Sequence, residues 1–166
     1  RPTLVAPPVS PRPAIRGDIS GGNTAIAENI EKRPTIGVQQ RTGPLLEPGR
    51  ELIREMDQLG MILDASHLPD QTFHDVLDLY GGAVWASHSN CRALVDDPRQ
   101  ISDEQIARLI ERGAVIGGAL DAWMMVPGWE RGITTPRGAG LNLEDLLDHT
   151  DHICQLAGNA DHVGIG

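Results

Sequence analysis

The sequence has few aromatic side chains, and none of them lies in its first 70 residues. The five aromatic residues of the 166 are Phe73, Tyr80, Trp85, Trp123 and Trp129. Residues 1–50 instead contain eight of the twelve prolines. A proline-rich segment without aromatic side chains buries too little apolar surface to offset the entropy lost on ordering. We therefore predict an extended or disordered arm over residues 1–41 and one domain over residues 42–166.

Positive charge is scarce in this domain, and long apolar runs are absent. Residues 51–166 carry seven basic and nineteen acidic side chains. Nucleic-acid binding depends on Lys and Arg contacts to phosphates, so this balance excludes a nucleic-acid partner. No apolar run approaches the length of about 18 residues that a membrane span needs, and no signal-peptide pattern opens the sequence. We expect a cytoplasmic protein without a membrane span.

Cysteine is also rare. Cys91 and Cys154 are the only two cysteines, and they are 63 residues apart without a CxxC pairing. This usage fits neither a disulfide scaffold nor a cysteine zinc site. Cys91 lacks the sequence signature of a cysteine nucleophile, and no glycine-rich phosphate loop is present. We interpret both cysteines as reduced, part-buried thiols.

Helical and strand-like patterns alternate from residue 48 onward. Apolar periodicity predicts helices over 49–60, 70–82, 102–113 and 141–158, and short apolar runs predict strands over 61–65, 83–87, 114–120 and 162–166. Ser102 followed by Gln105 is typical of a capping box at a helix start. Strands that are apolar on both faces and alternate with helices predict an α/β fold with a parallel sheet. Four such units make half of an eight-fold barrel or a small open sheet.

Two of the predicted strands end in the same dipeptide, Ser-His. The runs 61-MILDA-65 and 83-AVWAS-87 lead to His67 and His88. Because parallel α/β folds build their chemistry at the carboxyl ends of strands, we expect both imidazoles on one rim. Neutral imidazole suits zinc and leaves coordination positions open for water. The pair indicates a metal centre; the alternative is that each histidine caps its strand by hydrogen bonding to the backbone.

The other histidines are weaker candidates. His149 and His152 are three residues apart on one predicted helix. A helix packed outside a sheet directs such residues away from the strand ends, so we interpret them as helix-packing or polar-face residues. His74 on a helix and His162 at a strand start are interpreted as surface or edge residues.

Taken in order, the segments 49–68, 84–94, 98–123 and 144–166 resemble the membrane (renal) dipeptidase family, metal-dependent enzymes of the amidohydrolase type. The resemblance covers about residues 42–166. It rests on the Asp-x-Ser-His and Ser-His-Ser-Asn motifs, 21 residues apart, and on an arginine eleven residues after the second histidine. It implies a partial (β/α)8 TIM-type barrel with parallel strands, comprising strands five to eight and their helices.

The resemblance also implies roles for individual residues. His67 and His88 would be two ligands of a two-zinc centre, and Arg99 would hold the terminal carboxylate of the substrate. A guanidinium suits this role because it forks onto a carboxylate with two parallel hydrogen bonds. Gln100 follows where the family often has Asn. The family's His-x-Asp pair, bridging carboxylate and substrate-contacting histidine have no counterpart in residues 1–41, and its acid/base aspartate would come beyond Gly166.

The implied function is hydrolysis of a dipeptide amide bond by a metal-activated water, carried by a fragment of the barrel. One alternative is a non-catalytic metal-binding or assembly half-barrel, completed by another copy or another chain. An unpaired sheet edge favours such association. A further alternative is hydrolysis of another amide or an ester on the same barrel, because the fold alone does not select the substrate.

Overall fold

The computed structural model describes residues 43–166. The arm predicted for residues 1–41 lies outside this range. The helices are α1 (Glu47–Gln58), α2 (Asp70–Leu79), α3 (Asp103–Glu111), α4 (Ala122–Met125), α5 (Pro136–Ala139) and α6 (Leu143–Ala157). The strands are β1 (Leu63–Asp64), β2 (Val84–Trp85), β3 (Ile116–Gly118) and β4 (Val163–Ile165). No helix in this part of the chain is long and apolar enough to cross a membrane.

The predicted alternation of helices and strands is confirmed, with two differences. The strands are two or three residues long, shorter than the apolar runs that predicted them. Ladder pairing between β1 and β2 stops at Asp64 and Trp85 because the backbone then turns into the Ser-His segments. The four-residue helices α4 and α5 were not predicted, since a single helical turn leaves no periodic pattern to detect.

The strands run parallel and follow one another in chain order. In β1 and β2, Leu63 lies opposite Val84. β3 and β4 pair in the same direction, and a parallel bridge between Ala86 and Ile116 joins the two pairs. This topology confirms the predicted α/β fold with parallel strands. It also brings the carboxyl ends of all four strands to the same edge of the layer.

The hydrophobic core lies between this strand layer and the helices. Alternate strand residues point toward the helices and are almost fully buried. They pack with apolar side chains of α2 and α3 in one cluster, which includes Leu63, Val84, Ala86, Ile116, Phe73, Val76, Ile106 and Leu109. The burial of a large apolar side chain contributes about 1.5–3 kcal/mol. The core therefore holds the strand layer against α2 and α3.

The opposite face of the strand layer carries exposed apolar side chains. Trp85 and Val115 are 46% and 42% exposed, although their neighbours Val84 and Ile116 are buried. Ile62, just before β1, is also exposed. Successive side chains of a strand point to opposite faces, so these three residues share the face opposite the described helices.

The capping box at the start of α3 is confirmed and gives a stability prediction. The Ser102 hydroxyl accepts a hydrogen bond from the Gln105 N–H, and the Gln105 side chain accepts one from the Ser102 N–H, at 3.3 and 2.8 Å. We expect Ser102→Ala to lower the free energy of unfolding by about 1 kcal/mol, because an N-terminal N–H of the helix loses its partner. Urea unfolding would measure this loss. Ser102→Thr, which keeps the hydroxyl, is the control, and an equal loss in both variants would contradict the role of the cap.

Candidate metal centre

His67 and His88 lie side by side at the ends of neighbouring strands. Asp64 and Trp85 lie opposite each other in β1 and β2, and His67 and His88 each follow three residues later. Their Nε2 atoms are 2.9 Å apart and their ring centroids 4.8 Å apart. Two nitrogens bound to one tetrahedral zinc at about 2.0–2.1 Å are separated by roughly 3.3 Å. The predicted placement on one rim is confirmed, and the spacing of the two nitrogens is close to that required by a shared metal ion.

Asp64 connects the two Ser-His segments. Its Oδ1 accepts hydrogen bonds from the N–H and the hydroxyl of Ser66, at 3.0 and 2.7 Å, and from the N–H of Ser87 at 3.1 Å. Its Oδ2 accepts from the hydroxyl of Ser87. Partial burial opposes ionisation, but the bonds from Ser87 and Ser66 outweigh it and lower the pKa of Asp64 from 3.8 to about 2. Asp64 is therefore a carboxylate at neutral pH.

Ser87 and Ser66 extend this network to His88. The Ser87 hydroxyl lies 2.7 Å from Nδ1 of His88. The N–H of His88 donates to the Ser66 hydroxyl at 3.2 Å. The imidazole of His88 is thus hydrogen-bonded at Nδ1, and its Nε2 is directed toward His67.

The surroundings of His67 favour its neutral form. Burial lowers the pKa of His67, and the positive charge of Arg99 and that of His88 in its protonated form lower it further, while Asp64 acts in the opposite direction. Neutral imidazole is the form that binds a metal. The electrostatics of the rim therefore agree with a ligand role for this side chain.

Arg99 connects the same two segments from a buried position. Its side chain is directed to the backbone, with Nη1 donating to the Ser66 carbonyl at 2.7 Å and Nη2 to the His88 carbonyl at 2.8 Å. Arg99 is only 7% exposed, and burial lowers its pKa although Asp121, Asp64 and Asp97 raise it. The two bonds use two of the five N–H donors of the guanidinium. Arg99 is thus first of all a cross-link between the turns that carry His67 and His88.

Asn90 and Gly117 connect the second Ser-His segment to the next strand. Asn90 is fully buried and donates to the carbonyls of Ala119 and Met124, at 3.0 and 3.1 Å, while it accepts from the Ala119 N–H at 2.8 Å. Gly117 lies so close to Ser87 that a Cβ there would overlap the Ser87 carbonyl oxygen. The end of β2 is therefore tied to the segment that follows β3.

No site role was predicted from the sequence for Asp64, Ser66, Ser87 and Asn90. A signal was present, because all four are polar positions of the two repeated motifs, 64-DASH-67 and 87-SHSN-90. The sequence could not show that one carboxylate accepts hydrogen bonds from both motifs, because Asp64 and Ser87 are 23 residues apart in the chain.

The interpretation of His149 and His152 as helix-packing or polar residues is confirmed. His149 is buried, its Nδ1 accepts from the Cys91 N–H at 3.0 Å, and its Nε2 lies 3.2 Å from the Met125 carbonyl. His152 pairs with Asp103 at 2.8 Å. Cys91 is fully buried rather than part-buried, and burial raises the pKa of its thiol to about 12. Such a thiol is not a nucleophile.

The donor set at the rim fits part of a metal site. Within residues 43–166, no group of three or more His, Cys, Asp or Glu side chains is placed to hold a metal ion. His67 and His88 supply two convergent nitrogen donors. Because a catalytic zinc takes three protein ligands and a water, this pair accounts for two of the protein ligands.

Comparison with known proteins identifies the family. The membrane dipeptidase family (peptidase family M19) matches residues 19–166. The chain belongs to this family. The match begins inside residues 1–41, so the boundary that we place after residue 41 stays a prediction.

Two relatives of this M19 chain are named as dipeptidases. An uncharacterized dipeptidase of Schizosaccharomyces pombe is 30% identical over 128 residues, 76% of this chain and 29% of that protein. A dipeptidase of Claviceps purpurea is 31% identical over 118 residues, 71% of this chain and 25% of that protein. The M19 chain thus spans less than a third of these two relatives.

A solved structure has the same local fold. The crystal structure of a metallo peptidase from Rhodobacter sphaeroides, liganded with a phosphinate mimic of the dipeptide L-Ala-D-Ala, matches with a TM-score of 0.64 and 31% identity. The match covers 76% of this M19 chain and 34% of that structure. The local fold described above is therefore shared with this metallo peptidase.

Proposed function

We propose that this chain is part of a metal-dependent dipeptidase, in which His67 and His88 bind metal and an activated water hydrolyses the amide bond of a dipeptide. The observation that carries the proposal is the approach of the two Nε2 atoms to 2.9 Å. Membership of the M19 family supports the reaction class. The Rhodobacter sphaeroides relative, solved with a dipeptide mimic, supports a dipeptide substrate.

Zinc suits this donor set better than magnesium or calcium does. Imidazole nitrogen is a good zinc ligand, whereas magnesium and calcium prefer oxygen. A zinc ion held here would supply the Lewis acidity that polarises an amide carbonyl and makes water a nucleophile at neutral pH. We propose two zinc ions, as the resemblance implies, with the remaining ligands provided from outside residues 43–166.

The chain's own residues hold and orient the reactants. His67 and His88 would present two imidazole nitrogens to the metal, and Asp64 and Arg99 keep the two turns at a fixed separation. We propose that N–H donors of Arg99 not used by the Ser66 and His88 carbonyls fork onto the terminal carboxylate of the substrate. The burial of Arg99 strengthens the attraction between its guanidinium and the substrate carboxylate, because charges interact more strongly at a low effective dielectric constant.

We propose that the described strands are strands five to eight of a (β/α)8 barrel. A parallel barrel covers both faces of its sheet, with helices outside and side chains packed inside. The exposed apolar face with Ile62, Trp85 and Val115 fits the inner face of such a barrel. The TM-score of 0.64 to the Rhodobacter sphaeroides metallo peptidase supports the same arrangement.

A second candidate is a non-catalytic metal-binding or assembly half-barrel. Two observations favour it: residues 43–166 present only the two histidines as convergent ligands, and the inner strand face is exposed. In this case a second copy or another chain would cover that face and complete the ligand set.

Hydrolysis of a dipeptide panel distinguishes the two candidates. The purified chain with added zinc is expected to cleave L-Ala-D-Ala and other dipeptides with a free carboxyl end faster than the zinc-free blank. The same dipeptides with an amidated carboxyl end serve as the control for carboxylate recognition by Arg99. If every rate equals the zinc-free blank, catalysis by this chain is contradicted, and an oligomer in light scattering would then favour the assembly candidate.

A further inference from the structure

We infer that Asp64 is a positioning residue that sets which ring nitrogens of His67 and His88 carry protons. Asp64 touches neither imidazole directly; it acts through the hydroxyl of Ser87. The consequence for metal binding rests on the proposed ligand roles of the two histidines.

The protonation pattern follows from counting donors around Ser87. A carboxylate is only an acceptor, and a serine hydroxyl has one proton to donate. Asp64 Oδ2 takes that proton in its hydrogen bond from Ser87. In the 2.7 Å contact between the Ser87 oxygen and Nδ1 of His88, the hydrogen bond must therefore be donated by Nδ1–H. His88 is then the tautomer whose Nε2 carries a lone pair, which is the form that a metal ligand at Nε2 requires.

The position of the His67 proton follows from the same set of hydrogen bonds. Nε2 of His67 lies 2.9 Å from Nε2 of His88, which under this assignment can only accept. In the metal-free protein, Nε2 of His67 must therefore donate, so its proton sits on Nε2. The two rings carry their protons on different nitrogens, and a change in one tautomer forces a change in the other.

Asp64→Asn tests this chain of bonds with almost no change of shape. Three donors, the Ser66 N–H, the Ser66 hydroxyl and the Ser87 N–H, converge on Oδ1, so the amide oxygen of the variant keeps that position. The amide NH2 then takes the place of Oδ2 and donates to Ser87. The Ser87 hydroxyl then donates its hydrogen bond to Nδ1 of His88. Because Nδ1 must accept that bond, the ring proton of His88 moves to Nε2.

The experiment is a ring 15N–1H correlation spectrum of the metal-free chain at about pH 8, where free imidazole is neutral. In the wild-type chain we expect His88 protonated at Nδ1 and His67 at Nε2. In Asp64→Asn we expect both assignments to exchange, and zinc affinity to fall roughly 10–100-fold. A purely structural role of Asp64 would change stability without moving the ring protons.

Two further variants make the result decisive. Ser87→Ala removes the hydroxyl that connects Asp64 to Nδ1 of His88, so His88 is expected to lose its exclusive Nδ1–H form. This variant tests the inference if Asp64→Asn does not fold. Asp70→Asn is the matched control, because Asp70 pairs with Arg92 and makes no bond to the Ser-His segments. Its ring spectrum is expected to equal that of the wild-type chain.

The inference is overturned if folded Asp64→Asn or Ser87→Ala keeps His88 entirely in the Nδ1–H form. Failure of the proposed function has a different signature. A wild-type chain that shows the expected tautomers but binds no zinc would contradict the metal role of the histidines, while the action of Asp64 on their protons would stand.

Discussion

The variant with alanine at both His67 and His88 is expected to bind zinc roughly 100-fold more weakly than the wild-type chain, or worse. The reason is that both nitrogens that converge at 2.9 Å are removed. Loss of a residue that only orients a ligand already costs about 10–100-fold in metal affinity, and loss of the ligands costs more. Competition with a chromophoric zinc chelator measures the affinity, and elemental analysis after dialysis measures the stoichiometry.

A matched control separates this loss from the general effect of deleting a histidine. His74 lies on α2 and contacts Glu104 and Arg108 rather than the rim. The zinc affinity of His74→Ala should equal that of the wild-type chain. If the double variant kept the zinc affinity and stoichiometry of the wild-type chain, the assignment of His67 and His88 as ligands would be wrong.

Arg99→Ala is expected to lower the free energy of unfolding by about 2–4 kcal/mol, because two backbone carbonyls lose their hydrogen-bond donors. An unpaired buried group costs about 1–3 kcal/mol, and the His88 carbonyl, which is only part-buried, costs less. The carbonyls belong to Ser66 and His88, within the two Ser-His segments. We therefore expect zinc affinity to fall together with stability. Chemical denaturation and zinc titration of the same preparation measure the two effects.

Arg112 provides a control with the same bonding pattern at another place. Its Nη1 donates to the Leu77 carbonyl at 3.0 Å and its Nη2 to the Gly82 carbonyl at 2.7 Å. Arg112→Ala is expected to lose stability but to keep the zinc affinity of the wild-type chain. Equal zinc affinity in Arg99→Ala and Arg112→Ala would show that Arg99 does not position the histidines.

Steady-state kinetics separates the cross-linking role of Arg99 from its proposed contact with substrate. If Arg99 also holds the carboxylate, Arg99→Lys should raise KM for dipeptides with a free carboxyl end much more than for their amides, because an ammonium lacks the planar fork. If it only cross-links the backbone, both substrates should be affected equally.

Much of the fold could be predicted from local patterns. The starts of α3 and α6 follow from Ser102 and Asn142, since capping residues act within a few positions of the chain. The stops at Gly113 and Gly158 follow because their positive φ, 66° and 71°, is accessible to glycine without strain. Strand length was overestimated because pairing depends on where a neighbouring strand turns away. The short helix α4 rests on tertiary contacts, because Asn90 and His149 bond to the carbonyls of Met124 and Met125.

The sequence by itself determined the order of strands and helices, the parallel direction of the strands and the presence of two histidines on one rim. These features depend on periodicity and on strand ends, which are properties of neighbouring residues. Only the tertiary structure decided that Asp64 serves both Ser-His segments and that Arg99 is bound to their carbonyls. The reason is physical: both contacts join residues 23 to 33 positions apart, and their hydrogen bonds exist only once packing has brought the two turns together.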